Sequence, residues 1–337
     1  MDPATFFAAS RVLIVAGKGG VGKTTVSAAL ARAASLEGRS ALIVEVEGKA
    51  GLPAMFGTVD LGYDEDVLVP GDEERGIGEV RARTLTADEA LLEYLRDNRM
   101  NRVAKRLVST GVLDVLATAA PGIRDILILG KVKQLERDEV ADLIVLDAPA
   151  AGHAITFLRA AQALQDSVRV GPINSQAKDV LELLHDPARC QVMLVTLPEE
   201  TPVNELVETA FSLEEEVGVA LSPVVVNGLY PARHGIDTEV AAAAKAVDVS
   251  VEPAVAEALD AAADFRRHRM ALQAEQLDRL ADKLPLPRLE LPFLFTADLD
   301  AEDIDGLAHR LVAGITALAE PRPDAAADAS PSDEADS

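Results

Sequence analysis

The stretch GKGGVGKTT, residues 17–25, spaces Gly17, Gly22, Lys23 and Thr24 as G-x-x-x-x-G-K-[ST]. RVLIVAG (11–17) before it is an apolar run of strand length, and TTVSAALARAASLEG (24–38) after it is an alanine-rich helical pattern closed by Gly38. Strand, loop and helix in that order form a phosphate cradle. The glycines let backbone N–H groups turn toward one anion, so Gly17, Gly19, Gly20, Val21 and Gly22 are read as its lining. The helix N-terminus adds partial positive charge, with Lys23, Thr24 and Thr25 in its first turn. Lys23 reaches the outer phosphates and the Thr24 hydroxyl can ligate Mg²⁺. A glycine-rich turn of no chemical use would need all four spaced residues and both flanking elements to coincide. Lys18 is not required by this spacing, and the loop alone does not say what it is for.

A chain of 337 residues accommodates one large α/β domain with an insertion, or two modest domains; we favour the first. A formal net charge of −24 argues against nucleic acid or anionic lipid as a main partner, because neither polyanion is attracted to such a field. Cys190 is the single cysteine, which excludes an internal disulfide and a multi-cysteine metal site; a buried residue opening a strand accounts for it. MDPATFFAAS (1–10) has no basic region and too short an apolar run for a signal peptide, and no uninterrupted apolar span reaches membrane length. The expected compartment is the cytoplasm, without stable membrane insertion.

Apolar runs of strand length recur at 40–46 (SALIVEV), 142–147 (DLIVLD), 190–197 (CQVMLVTL), 219–226 (VALSPVVV) and 288–293 (RLELPF), with helical stretches between most of them. Continuous apolar strands separated by helices mean an α/β fold, a mostly parallel sheet sandwiched by helices. Thr86-x-x-Glu89 reads as a capping box opening ADEALLEYLRDN, and Thr201-Pro202 as an N-cap followed by proline at the first helical position. Residues 98–139, rich in Val, Leu and Ile, interrupt the alternation; with 160–187 they would form a helical subdomain inserted in a domain spanning 11–319. Residues 1–10 read as an N-terminal extension. From 320 to 337 no apolar residue is larger than alanine, the composition of a disordered acidic tail.

LIVLDAPAAGH (143–153) carries the second chemical element. A strand ending in Asp147 puts a carboxylate at the carboxyl edge of the sheet beside the loop, where it can hold the Mg²⁺ shell. Alone, an Asp at a strand end is as often a solvated turn residue. The residues after it can turn under a third phosphate, with the Gly152 N–H as a sensor; His153 fits that turn or the start of a helix.

GKGGVGKTT with its extra lysine, followed by D-x-x-x-x-G-H at Asp147, Gly152 and His153, resembles the deviant phosphate-loop ATPases. Within them it resembles the family of the arsenite-pump ATPase and of the factor that targets tail-anchored membrane proteins. PVVVNGLYP (223–231) is similar to that family's adenine-reading strand end, with Asn227 as the base ligand. FRRHRMALQAEQ (265–276) is similar to its arginine-rich helix before the last strand, and ELPFLFTADL (290–299) to its final strand and loop. The resemblance covers nearly all of 11–319. It implies ATP and Mg²⁺ as ligands, and it implies a role for Lys18: reaching across a face-to-face dimer to the partner's phosphates. A solvated loop lysine is the plain alternative.

The sequence departs from that family in places. The family's first switch begins D-P-A-H, with an aspartate that positions the attacking water. Here the chain reads IVEVEGKAGLPAMFG, and alignment on Phe56-Gly57 puts Glu47 there. The longer side chain displaces the carboxylate by more than ~1 Å, an error that can cost on the order of 100-fold in rate. Glu45, on the same strand face, is the fallback. With one cysteine, neither a zinc-linked dimer nor a cysteine arsenite sensor can form, so a dimer must rest on protein surfaces and nucleotide. Leu, Ile and Val in 107–129 can line a client groove or be ordinary core. Three functions remain open: an ATP-hydrolysing dimeric switch acting on a hydrophobic protein client; a weakly active subunit in a homo- or heterodimer with a related ATPase; and a spatial regulator of the cell-division or partition kind, whose membrane-binding terminus or basic DNA patch the acidic tail does not supply.

Overall fold

In the computed structural model, residues 1–46, 51–58, 61–97, 122–149, 151–167 and 172–319 are described. In chain order the elements are α1 (Pro3–Ala8), β1 (Val12–Ala16), α2 (Lys23–Leu36), β2 (Ala41–Val46), α3 (Gly51–Met55), β3 (Asp66–Val69), β4 (Val80–Leu85) and α4 (Ala87–Asp97). They continue with α5 (Ile123–Arg137), β5 (Leu143–Asp147), α6 (Ala151–Ser167), α7 (Pro172–Leu184), β6 (Cys190–Thr196) and α8 (Glu200–Ser212). The last are β7 (Val224–Leu229), α9 (Val240–Ala246), α10 (Pro253–Lys283), β8 (Arg288–Pro292) and α11 (Ala301–Ala317).

The strands form one eight-stranded sheet in the order β3-β4-β2-β5-β1-β6-β7-β8. Only β3 is antiparallel to its neighbour. Strands β1, β2 and β5 are buried along their whole length, which is why they read as unbroken apolar runs. α2 and α11 cover one face, and α5, α6, α7 and α8 the other. The alanines of α2 let it lie between the sheet and α11, with both of its sides in the core. β1 sits between β5 and β6, where the strand order reverses, and in open α/β sheets a ligand crevice opens outside the carboxyl ends of the strands at such a point. The loop after β1 occupies it.

The expected α/β class and mostly parallel sheet are therefore present. Several local readings need correction. β3 and β4 were not foreseen: Arg81 and Arg83 break the apolar run of VRARTL, yet they point to one face only. There Arg81 pairs with Glu65, and Arg83 lies 4.4 Å over the Tyr63 ring. The alternate residues Val80 and Ala82 join the core on the α2 side. The strand expected over 219–226 begins at Val224 instead; residues 220–222 form an isolated bridge to Val192, and Pro223 brings no N–H to a ladder. α8 begins at Glu200 with Glu199 at the N-cap, so Thr201 is not the cap. Pro202 is tolerated one turn in because N–H groups of the first turn have no intrahelical partner in any case. Thr86 caps α4, its Oγ1 accepting from the Glu89 N–H at 3.3 Å, but the Glu89 carboxylate accepts from the Thr86 hydroxyl at 2.7 Å where a capping box would have it accept from the Thr86 backbone N–H.

The first ten residues are built into the fold. Asp2 caps α1, Phe7 is core, and the Met1 ammonium donates to the Leu318 carbonyl at 2.6 Å. Of the expected helical subdomain, α5, α6 and α7 pack on the sheet in the main core cluster. Residues 98–121, the proposed tail 320–337 and Glu47 lie outside the described residues.

Candidate nucleotide and metal site

The loop between β1 and α2 is shaped by two close approaches. A Cβ on Gly17 would lie 2.3 Å from the Val195 carbonyl oxygen of β6, so only glycine lets the loop leave β1 there. Gly22 has φ +88°, and a Cβ on it would lie 2.3 Å from Asn227 Nδ2. Asn227, on β7, donates that amide to the Val21 carbonyl at 2.9 Å. The residue expected at the base is thus also a brace for the loop.

Lys23 opens α2 and is buried; its Nζ donates to the Lys18 carbonyl at 3.1 Å. Thr24 Oγ1 donates to Asp147 Oδ2 at 2.7 Å. Asp147 closes β5 and is fully buried. The hydroxyl and the carboxylate expected to hold the metal are therefore adjacent, and both are hard oxygen donors of the kind Mg²⁺ takes. Glu45 stands in register with Asp147 on one side and Thr84 on the other, so all three share the α2 face at the carboxyl edge. Glu45 and Thr84 are buried too. A Cβ on Gly51, at the start of α3, would lie 3.8 Å from Thr24 Cγ2. Gly152 is the second residue of α6 and His153 the third. The Gly152 N–H belongs to a first turn, which helix geometry leaves without an intrahelical acceptor.

Lys18 does not hang in solvent. Its Nζ lies 2.6 Å from Glu205 Oε1 on α8 of the same subunit. Nothing in the loop motif points to Glu205, which is visible only once α8 is placed beside the loop. A second group missed from sequence lies at the ends of β7 and β8. Tyr230 stacks on Phe293 with centroids 5.2 Å apart, and Phe295 meets both edge-on. Arg266 lies over Tyr230 and Phe295 at 5.3 and 5.2 Å. Arg269 lies 5.8 Å from the Tyr230 centroid, and its hydrogen bond to Glu199 raises its pKa further above the usual arginine value. The signal was available, because Tyr230, Phe293 and Phe295 cluster just past two strand ends in a chain that is only 3% aromatic.

A glycine loop at the switch point, a lysine and threonine opening the next helix, and a buried carboxylate at the neighbouring strand end define a P-loop nucleotide-binding protein. Residues 10–173 match the family described as anion-transporting ATPase. ATPase BagA of Mycobacterium tuberculosis is 36% identical over 303 residues, covering 84% of this chain and 87% of that protein. ATPase get3 of Schizosaccharomyces japonicus is 29% identical over 177 residues, covering 50% of this chain and 52% of that one. An arsenical pump-driving ATPase of Acidiphilium multivorum is 25% identical over 244 residues, covering 65% and 39%. The chain belongs to the anion-transporting ATPase family, and ATP binding through a P-loop comes with that membership. No described helix is long and apolar enough to cross a membrane.

Proposed function

We propose that this protein is a cytoplasmic, Mg²⁺-dependent ATPase that hydrolyses ATP as a dimer and couples its nucleotide state to the binding of a protein client. The Thr24–Asp147 hydrogen bond carries the nucleotide and metal part of this reading, since it joins the phosphate loop to a buried carboxylate at the distance two shared metal ligands need.

On this reading Lys23 exchanges the Lys18 carbonyl for the outer phosphates, and the N–H groups from Gly17 to Thr25 surround them. Thr24 and Asp147 would hold Mg²⁺, which would supply positive charge against the charge developing on the phosphates. The Gly152 N–H faces the third phosphate from the start of α6. Asn227 offers its amide edge to the base, next to the flat faces of Tyr230, Phe293 and Phe295. Lys18 leaves Glu205 and serves the partner's phosphates. Glu47, or Glu45 from its buried place beside Asp147, orients the attacking water. The client part rests on the family alone; of residues 107–129, read from sequence as either a client groove or ordinary core, 107–121 lie outside the described residues. A second reading, a weakly active subunit paired with a related ATPase, is favoured by glutamate at position 47 where the resemblance leads one to expect aspartate.

Calorimetry tests the core of the proposal. Mg·ATP should bind the unsubstituted chain and fail to bind Lys23→Ala. Equal affinity in the two would refute the site.

A further inference from the structure

β7 ends in a bulge. Val226 stands opposite Glu290 and Leu229 opposite Pro292, so three steps along β7 are matched by two along β8, and neither Asn227 nor Gly228 has a partner in that register. A bulge at a strand end re-aims one side chain, and here it re-aims Asn227, whose amide braces the phosphate loop at Val21. Gly228 has φ +75°, and a Cβ on it would lie 3.3 Å from Leu197 Cδ2, so the extra residue is one that only glycine fills easily.

Main-chain groups displaced from a ladder and half-buried need partners elsewhere, and a side chain from another element supplies them. Gln273 of α10 is 4% exposed. Its Nε2 donates to the Gly228 carbonyl at 3.1 Å, and its Oε1 accepts from the Tyr230 N–H at 2.9 Å. These two bonds fix which way round the amide lies, because only in this orientation does its donor meet a carbonyl and its acceptor an N–H. Gln273 is thus clipped across residues 228–230, with Asn227 at one end of the clipped turn and Tyr230 at the other. Two turns back on α10, Arg266 donates to the Pro231 carbonyl and extends the same seam. Gln276, three residues on, is the other buried glutamine of this helix, and its Oε1 makes no hydrogen bond among the described residues. Burying an amide is costly unless both of its ends are bonded, and Gln273 alone of the two recovers that cost on main chain.

What Asn227 can read depends on how it is held. One amide hydrogen goes to the Val21 carbonyl, which leaves Oδ1 and the second amide hydrogen side by side for a base edge. An acceptor beside a donor complements adenine, whose 6-amino group lies next to a ring nitrogen. Guanine has a carbonyl in place of that amino group and would meet Oδ1 with like polarity. The distinction lasts only while the amide cannot turn over. Val21 restrains its far end, and the bulge restrains the main chain from which it springs. The bonds of Gln273 go to that main chain and not to the loop, so any effect on a ligand passes through Asn227 and Tyr230.

We infer that Gln273 is a positioning residue for base recognition, clipping the turn from Asn227 to Tyr230 so that the Asn227 amide is held in the orientation that prefers adenine to guanine. The inference rests on the base site proposed at Asn227 and adds the residue on which its selectivity depends.

Calorimetry of the full chain with Mg·ATP, Mg·GTP and Mg·tripolyphosphate tests it, because tripolyphosphate reports on the loop without a base. Gln273→Met keeps the length of the side chain and removes both bonds. It should bind tripolyphosphate as the unsubstituted chain does, bind ATP about tenfold more weakly, and lose most of the preference for ATP over GTP. Gln276→Met should change none of the three affinities. In an Asn227→Ala background, adding Gln273→Met should lower ATP affinity by less than about twofold more, since the group being positioned is gone. Gln273→Glu keeps an acceptor for the Tyr230 N–H and loses the donor to Gly228. It should lower the preference too, and it carries the test if the methionine variant does not fold. An unchanged ATP-to-GTP ratio in the Gln273 variants, an equal loss of tripolyphosphate and ATP binding, or a matching effect of Gln276→Met would each overturn the role of Gln273 and leave the base site standing. An unsubstituted chain that binds ATP, GTP and tripolyphosphate alike would instead refute the base site at Asn227, and the inference with it.

Discussion

Lys18 is the residue whose observed partner differs from the one proposed for it. In a single subunit it is held by Glu205, an ion pair with both side chains about two-fifths exposed and therefore weak. Half-exposed pairs of this kind contribute roughly 0.2–1 kcal/mol, small enough for a phosphate of higher charge to displace the carboxylate. Lys18→Ala should keep Mg·ATP affinity within about twofold and lower turnover by on the order of 10³, as loss of a positioned cation does; calorimetry and phosphate release would measure the two separately. Glu205→Gln should act in the other direction, raising turnover at limiting protein concentration up to about fivefold by releasing Lys18. An unchanged rate there would make the pair a simple surface contact. The water-positioning role is separable by the same logic. Glu47→Gln should reduce hydrolysis with ATP binding intact, and a loss confined to Glu45→Gln would transfer the role to the buried residue of β2.

At the scale of elements, α4 is tied to the sheet edge and to α5 by a small polar network. Lys131 of α5 is 7% exposed and donates to Glu93 Oε1 at 2.7 Å, while the Tyr63 hydroxyl donates to the other oxygen. Burial works to raise the Glu93 pKa, but the hydrogen bonds from Lys131 and Tyr63 outweigh it and hold the carboxyl below its ordinary value of 4.5. A carboxylate with a lowered folded-state pKa contributes stability that is fully present above the unfolded value. That contribution is lost as pH falls below about 4.5 and through the folded value. Glu93→Gln would leave the Lys131 ammonium buried without its counter-charge, which should cost about 3 kcal/mol in urea unfolding at pH 7 and flatten the acid limb of the stability curve. Asp142 acts the same way at the starts of β2 and β5. Burial raises its pKa, and hydrogen bonds from the Ser40 hydroxyl and N–H more than offset this.

At the scale of the molecule, a net charge of −24 makes any compact state self-repelling, and an anionic ligand adds to that charge unless a cation enters with it. Mg²⁺ and ATP should therefore stabilise together far more than ATP alone. At 100 times its dissociation constant Mg·ATP should add about 2.7 kcal/mol and raise Tm by several degrees, and Lys23→Ala should abolish the shift in a thermal melt. ATP stabilising equally well in the presence of a chelator would argue against the Thr24–Asp147 metal pair.

How much of this was legible differs from place to place. GKGGVGKTT and LIVLD announced the loop, the carboxylate and the parallel sheet, because burial on both faces forces unbroken apolar strands and a phosphate cradle forces glycines at fixed spacing. β4 was hidden because Arg81 and Arg83 find Glu65 and the Tyr63 ring only after β3 has folded back beside it, and a sequence window cannot see a partner that distant. Local order along the chain thus determined the fold class and named the residues of the proposed phosphate site. Tertiary structure alone decided that Lys18 meets Glu205 187 positions away, that Asn227 braces the loop 206 positions from Val21, and that Gln273 reaches the Gly228 carbonyl 45 positions back. Those facts depend on which surfaces meet in space, and contact across such distances leaves no periodic trace in the residues themselves.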